Sequence, residues 1–142
     1  MGIDPSRLRE SFASSSVPGD WKTDIIAPDR AGTLDGLFRE RVRRTPEAIA
    51  YRAFDAGRRQ WRDHAWIEMA ASVGRWQTAL LGEGLLPGER IAIALPNGPD
   101  WVCVDQAALG LGLVDVPLYV NDRGENVAFL LAHSGARLLV VD

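Results

Sequence analysis

The chain has 142 residues, 46% of them hydrophobic and 25% charged, with a formal net charge of −3. That length suffices for one domain with a real core, and no apolar run approaches the ~20 residues of a membrane-spanning helix. Nothing is laid out as a signal peptide, and the single cysteine, Cys103, excludes an intrachain disulfide framework, so the expectation is a soluble, cytoplasmic protein.

Residues 1–32 read as a poorly ordered leader. The stretch SFASSSVPGDWKTDIIAPDRAG is rich in Ser, Pro, Gly and Asp, and its apolar residues are too sparse for a periodic face. Trp21, Ile25 and Ile26 are the side chains suited to pin part of it to the body. MGIDPS fits a loose Met-Gly-x-x-x-Ser acylation pattern, but Asp4 and Pro5 are poor neighbours for it, and chance or a cloning remnant explains it better.

Residues 33–142 carry the periodic pattern. Thr33 is a good N-cap, Leu34, Leu37, Phe38 and Val42 follow at helical spacing, and Thr45-Pro46 ends that helix. Ala48 to Phe54 reads as a strand, Asp55-Ala56-Gly57 as a turn, and Arg59 to Arg62 as the returning partner of a hairpin. Ala65 to Leu81 is the longest helix, with Met69, Val73, Trp76 and Leu80 in one stripe and Gly82 and Gly84 breaking it. RIAIAL is then a strand, Pro99 to Gly110 a helix, LVDVPLY a strand, Arg123 to Ser134 a helix and RLLVVD a strand. Asp122 and Glu125 have capping-box spacing at the last helix start, and Gly135 is placed to end it. The expected fold class is therefore α/β: a parallel βαβαβ sheet flanked by helices, with a β-hairpin beside it. The chain stops at Asp142, at the end of a buried-looking strand, so a fragment of a larger domain is expected.

Few residues carry chemistry. Over residues 39–63 lie eight arginines and four acids; with the acids interspersed, a solvated helix face and hairpin is a better reading than a phosphate or lipid patch, and no interleaved aromatic pattern supports nucleic-acid binding. Gly110-Leu111-Gly112 follows a helix and precedes a strand, the reverse of a dinucleotide fingerprint, and reads as a helix stop. His64 and His133, with one cysteine, form no ligand cluster of metal-site spacing. Cys103, between Val102 and Val104, is expected to be a small buried hydrophobe. Asp115, an acid within LVDVPLY, is expected to face solvent or meet an arginine rather than bind a ligand. Trp66 and Trp76 are expected in the core and Trp101 as a staple between its helix and the preceding strand. The Pro96-Asn97-Gly98-Pro99 turn reads as architecture, with Asn97 satisfying turn backbone groups and Pro99 in the first helical turn.

Five stretches in order resemble one family. Gly84-Leu85-Leu86-Pro87-Gly88-Glu89-Arg90-Ile91-Ala92-Ile93 is similar to a Gly-hydrophobe-x-Pro-Gly-Asp-Arg-Val-Ala-Ile stretch, and Pro96-Asn97 with Asp100-Trp101 to a Pro-Asn-x-x-Glu-Trp turn. Gly112 with Pro117-Leu118-Tyr119 is similar to an Ala-Gly-x-x-x-x-Pro-Leu-Tyr segment. Trp66-Ile67-Glu68-Met69 resembles a Thr-Trp-x-Glu-hydrophobe helix start, and Thr33 to Ala50 an opening helix and strand. Together they resemble the amino-terminal lobe of the adenylate-forming (AMP-binding) enzymes, most of all the long-chain acyl-CoA synthetases. Ala65 in place of the capping Thr, Glu89 in place of Asp, and Asp115 in place of an apolar residue depart from that pattern.

The resemblance implies an amino-terminal scaffold of an ATP-dependent long-chain fatty acid–CoA ligase, which forms an acyl adenylate and then a CoA thioester. ATP, magnesium and CoA are implied for the parent enzyme and none for this stretch; the partners implied are the remainder of the parent chain and, through it, a fatty acid. No catalytic, cofactor-binding or metal residue is assigned here, because the family's phosphate loop, nucleotide motifs and carboxy-terminal lysine lie farther along, and Lys22 does not stand in for that lysine. The alternatives are a fatty-acyl-AMP ligase, a peptide-synthetase adenylation domain, or a non-catalytic α/β interaction module. Sheet edges left uncovered imply self-association of the isolated stretch.

Overall fold

The computed structural model describes residues 24–142; Trp21, Lys22 and the MGIDPS stretch lie outside them. Within the segment expected to be leader, a short helix α1 (Pro28–Ala31) precedes the body, and Asp24 pairs with Arg41 and with Arg44, the latter at 3.1 Å. Thr33 then caps α2 (Leu34–Arg44) as its hydroxyl suggested, accepting the Gly36 N–H at 2.9 Å.

The hairpin is present and longer than expected on its return. β1 (Ile49–Asp55) pairs antiparallel with β2 (Gln60–Ala65), with a bulge between Ile49 and Tyr51. Asp55 organises the turn by accepting the Arg58 N–H at 2.9 Å, and Arg59 takes a positive φ of 52°. α3 (Trp66–Gly82) starts directly after β2. Ala65 offers no side-chain cap, but Glu68 reaches back to its N–H at 3.0 Å, so half of a capping box survives the missing threonine.

Residues 90–141 build the expected parallel sheet. β3 (Arg90–Ala94), α4 (Pro99–Gly110), β4 (Val114–Pro117), α5 (Gly124–Ser134) and β5 (Leu138–Val141) alternate, and the strand order is β4-β3-β5 with both pairings parallel. β3 is central and so apolar on both faces: Ile91, Ala92 and Ile93 are fully buried. α4 lies in the core through Cys103, Val104, Ala107 and Ala108, and it packs on α3, whose Met69, Val73 and Leu80 are buried against it. Those alanines, and Gly110 at the end of α4, allow the close approach: a Cβ on Gly110 would meet Gln77 Nε2 at 2.3 Å and Asp35 Oδ1 at 2.9 Å.

Two local expectations fail. LVDVPLY is a strand only over Val114–Pro117; the Leu118 N–H still bonds to the Ile93 carbonyl at 2.9 Å, but Tyr119 is 84% exposed. Asp122 does not form a capping box at α5. The N-cap is Arg123, and Asp122 instead accepts from the Arg123 N–H at 2.8 Å and from Asn126 Nδ2 at 2.9 Å, a local turn competing with the cap. Gly135 ends α5 in the left-handed conformation, φ 66°, as expected.

Candidate functional site

The strand order gives the turn after β3 a special place. The connection through α4 carries the chain to one side of β3 and that through α5 to the other, so the carboxyl end of β3, at Pro96-Asn97-Gly98, is a topological switch point, where open α/β sheets tend to bind ligands. The residues there supply little chemistry. Asn97 is exposed, Gly98 is the N-cap without a side-chain partner, Pro99 occupies the first turn, and Asp100 puts a negative charge where an anion would sit. Pro99 lies in the first turn as its missing N–H predicts.

A cavity among the described residues lies elsewhere, between α2, β1 and α4. It encloses about 520 Å³. Ile25, Ile26, Leu34, Leu37, Phe38, Trp66 and Leu109 supply its apolar wall, and Asp24, Arg41, Tyr51, Asp105 and Gln106 its polar groups. Trp66 is held by edge-on contacts to Phe38 and Tyr51, with ring centres 5.9 and 6.0 Å apart. Ile25 and Ile26, suited from sequence to pin the upstream segment, meet the body here. Arg41 is already paired with Asp24. Burial, the Asp105 charge and Cys103 push the Tyr51 phenol above its ordinary range.

Behind Asp105 stands the residue that sequence reading placed differently. Among the described residues Asp115 meets no arginine, and it does not point to solvent. Both its carboxyl oxygens are enclosed without a hydrogen-bond donor, and its carboxyl faces that of Asp105 on α4. Burial first, and then the Asp105 carboxylate, push its pKa up to about 8. Asp105 went unremarked in the sequence, although it is the one acid inside the apolar run WVCVDQAALG.

The remaining candidates are structural. The basic stretch is largely neutralised in place: Glu40, nearly enclosed, takes Arg43 at 2.8 Å, Arg44 at 2.9 Å and Arg30 at 3.3 Å, which holds its carboxyl far below the ordinary range. Asp63 pairs with Arg52 across the hairpin, and Asp55 with Arg58 at 2.9 Å. Cys103 is buried, and burial raises its thiol. His133 stacks on Phe129 at 5.5 Å. Among the described residues no group of three or more His, Cys, Asp or Glu is placed to hold a metal ion.

These residues do not fit a magnesium-bound triphosphate. Such a ligand needs several convergent N–H or cationic donors, whereas the cavity presents two carboxylates and one arginine already paired, and the turn after β3 presents Asp100. No step through ATP follows from this stretch.

Comparison with known proteins gives the frame for this. The family described as AMP-binding enzyme matches residues 38–142. Phosphinothricin tripeptide synthetase PhsB of Streptomyces viridochromogenes is 32% identical over 137 residues, 94% of this chain and 11% of that protein. Long-chain-fatty-acid–CoA ligase FadD13 of Mycobacterium tuberculosis is 29% identical over 75 residues, 53% of this chain and 15% of that protein. The chain thus spans a small part of the curated relatives it matches. Among solved structures, the N-terminal subdomain of Klebsiella oxytoca NpsA superposes with a TM-score of 0.67 at 25% identity, over 75% of this chain and 26% of that one. A Mycobacterium tuberculosis fatty acyl CoA synthetase superposes with a TM-score of 0.69 at 25% identity, over 78% and 21%.

Proposed function

This chain belongs to the AMP-binding enzyme family as an amino-terminal part of an adenylate-forming enzyme, and from that premise we propose that it is the scaffold of a ligase that joins a carboxylic acid to AMP at the expense of ATP. The family match running through both parallel pairings of the β4-β3-β5 sheet carries this reading. Residues 33–142 are the lobe proper, and of the upstream residues Asp24, Ile25 and Ile26 pack against it. ATP and magnesium belong to the reaction of the whole enzyme, and the protein works in the cytoplasm. Among the described residues no helix is long and apolar enough to cross a membrane.

Two acids compete. The motifs of residues 84–119 favour a long-chain fatty acid with transfer to CoA. The synthetase alignment, 32% identical over 94% of the chain, favours a building block of a peptide product. Combining that identity with nearly full coverage, it puts the peptide-synthetase reading ahead of the other. Acid-dependent pyrophosphate exchange by the full-length enzyme, over a panel of amino, aryl and fatty acids, separates them. Exchange with amino acids alone supports the peptide-synthetase reading, and exchange with fatty acids followed by CoA thioester formation replaces it with the fatty-acid ligase.

The partner of this stretch is the remainder of its own chain. Tyr119, Phe129, Val141 and Leu81 are exposed apolar groups on its sheet margins and helices, as expected of surfaces that later segments cover. The isolated 142-residue chain is expected to self-associate, and light scattering across a concentration series should show mass rising above the monomer. A constant monomer mass counts against the covering role.

A further inference from the structure

The contact between α4 and β4 contains a conflict that the rest of the fold leaves unresolved. Asp105 projects from a helix whose neighbours Cys103, Val104, Ala107 and Ala108 are buried, and Asp115 from the strand paired in register with Ile91. Both Asp115 oxygens are enclosed and lack a donor. Asp105 accepts one hydrogen bond, from Gln106 Nε2 at 2.9 Å, and the amide oxygen of Gln106 is itself buried without a partner. Two facing carboxylates repel, and the enclosed Asp115 oxygens find no donor among the described residues to offset that repulsion.

Among the described residues, the surrounding elements supply no counter-charge. On α4 the other ionisable groups are Asp100 and Cys103; the ionisable residue of β3 is Arg90, in register with Val114 and exposed. From β1 comes the neutral phenol of Tyr51, and from α2 comes Arg41, which is bound by Asp24. On α3, Arg75 acts on Cys103 rather than on the pair.

We propose that Asp115 holds a proton against the Asp105 carboxylate, and that this proton is a pH-sensitive latch fastening β4 to α4. Asp115 donates to the Asp105 carboxylate while the proton is present. Once it is lost, two like charges face each other and the strand is pushed from the helix. The direction of the Asp115 shift agrees, since both burial and the neighbouring charge raise it. The sign follows from linkage. A carboxyl raised above its unfolded value contributes stability that is complete below the ordinary aspartate range and lost as pH rises to about 8. In that window the folded chain binds one more proton than the unfolded chain, so the unfolding constant should climb by up to about tenfold per pH unit.

The test is urea denaturation of the 142-residue chain from about pH 5 to about pH 9, for the native sequence, Asp115→Asn and Asp105→Asn. The native chain should lose stability as pH rises. Asp115→Asn, which removes the titrating group, and Asp105→Asn, which replaces the repelling charge by an amide able to donate, should each flatten that slope. The slope is the readout, because a purely structural role would lower stability at every pH and leave it unchanged. Infrared spectra near pH 6 should contain a protonated-carboxyl band that Asp115→Asn removes. A native chain with a flat profile or no cooperative transition, a slope that persists in Asp115→Asn, or the absence of that band overturns the latch.

Discussion

Replacing Ile93 with alanine is expected to remove a large share of the folding stability of this chain. Ile93 is 0% exposed at the centre of the middle strand, between Pro117 on β4 and Val140 on β5. Its carbonyl also holds the Leu118 N–H beyond the end of β4. Truncation at such a site leaves a cavity that the two flanking strands and α4 cannot close without breaking register, and comparable core truncations cost about 2–5 kcal/mol. A small domain has only about 5–15 kcal/mol in total, so the urea midpoint should fall steeply or the transition vanish. Leu86, 66% exposed in the loop before β3, is the control, and its alanine variant should stay within about 0.5 kcal/mol of the native chain. A loss below about 1 kcal/mol for Ile93→Ala would show that β3 is not the organising strand.

Ile93 also illustrates what the sequence made legible. RIAIAL is short, continuously apolar and bounded by Gly88 and Pro96, which are the marks of a strand covered on both faces. Period and punctuation likewise placed α2, α3 and α4 within a residue or so, because each has an apolar stripe with a Gly, Pro or Thr at its margin. Much of what failed depended on partners remote in sequence. Asp115 looked solvent-facing because alternation along one strand says nothing about which helix lies over it; only the packing of α4 brings Asp105 to it. β4 ended early because Tyr119 has no neighbour to make it strand, whatever its β propensity. Asp122 satisfied a spacing rule at α5 while its side chain found a nearer N–H at Arg123. The cavity under Trp66 was invisible for the same reason, since its walls come from Ile25, Leu37, Tyr51 and Leu109, residues that share no periodicity. The absence of an assigned catalytic residue rested on the family resemblance rather than on any pattern in the chain.

The second large effect concerns chemistry. Residues 1–142 alone are expected to give no acid-dependent pyrophosphate exchange and no saturable binding of Mg-ATP by calorimetry. Adenylation builds negative charge between the α-phosphate and the attacking carboxylate, and a site that accelerates it must hold donors or a metal ion there in advance. The arginines that offer most positive charge are spent: Arg43 and Arg44 on Glu40, Arg41 on Asp24, Arg52 on Asp63 and Arg58 on Asp55. The cavity is acidic rather than basic, because Asp105 lies in its wall and Asp115 behind it, so a polyphosphate entering it meets repulsion. The start of α4 could attract an anion through its backbone N–H groups, but Pro99 removes one of these and Asp100 opposes the charge. Arg→Gln changes along α2 should therefore leave the nucleotide titration as featureless as that of the native chain, while lowering stability at neutral pH, where Glu40 is charged, and converging on the native chain in strong acid. Saturable Mg-ATP binding that disappears on denaturation, and that weakens when Arg41 or Arg44 is replaced, would mean that these ion pairs open to receive phosphate and that this lobe contributes directly to the nucleotide site.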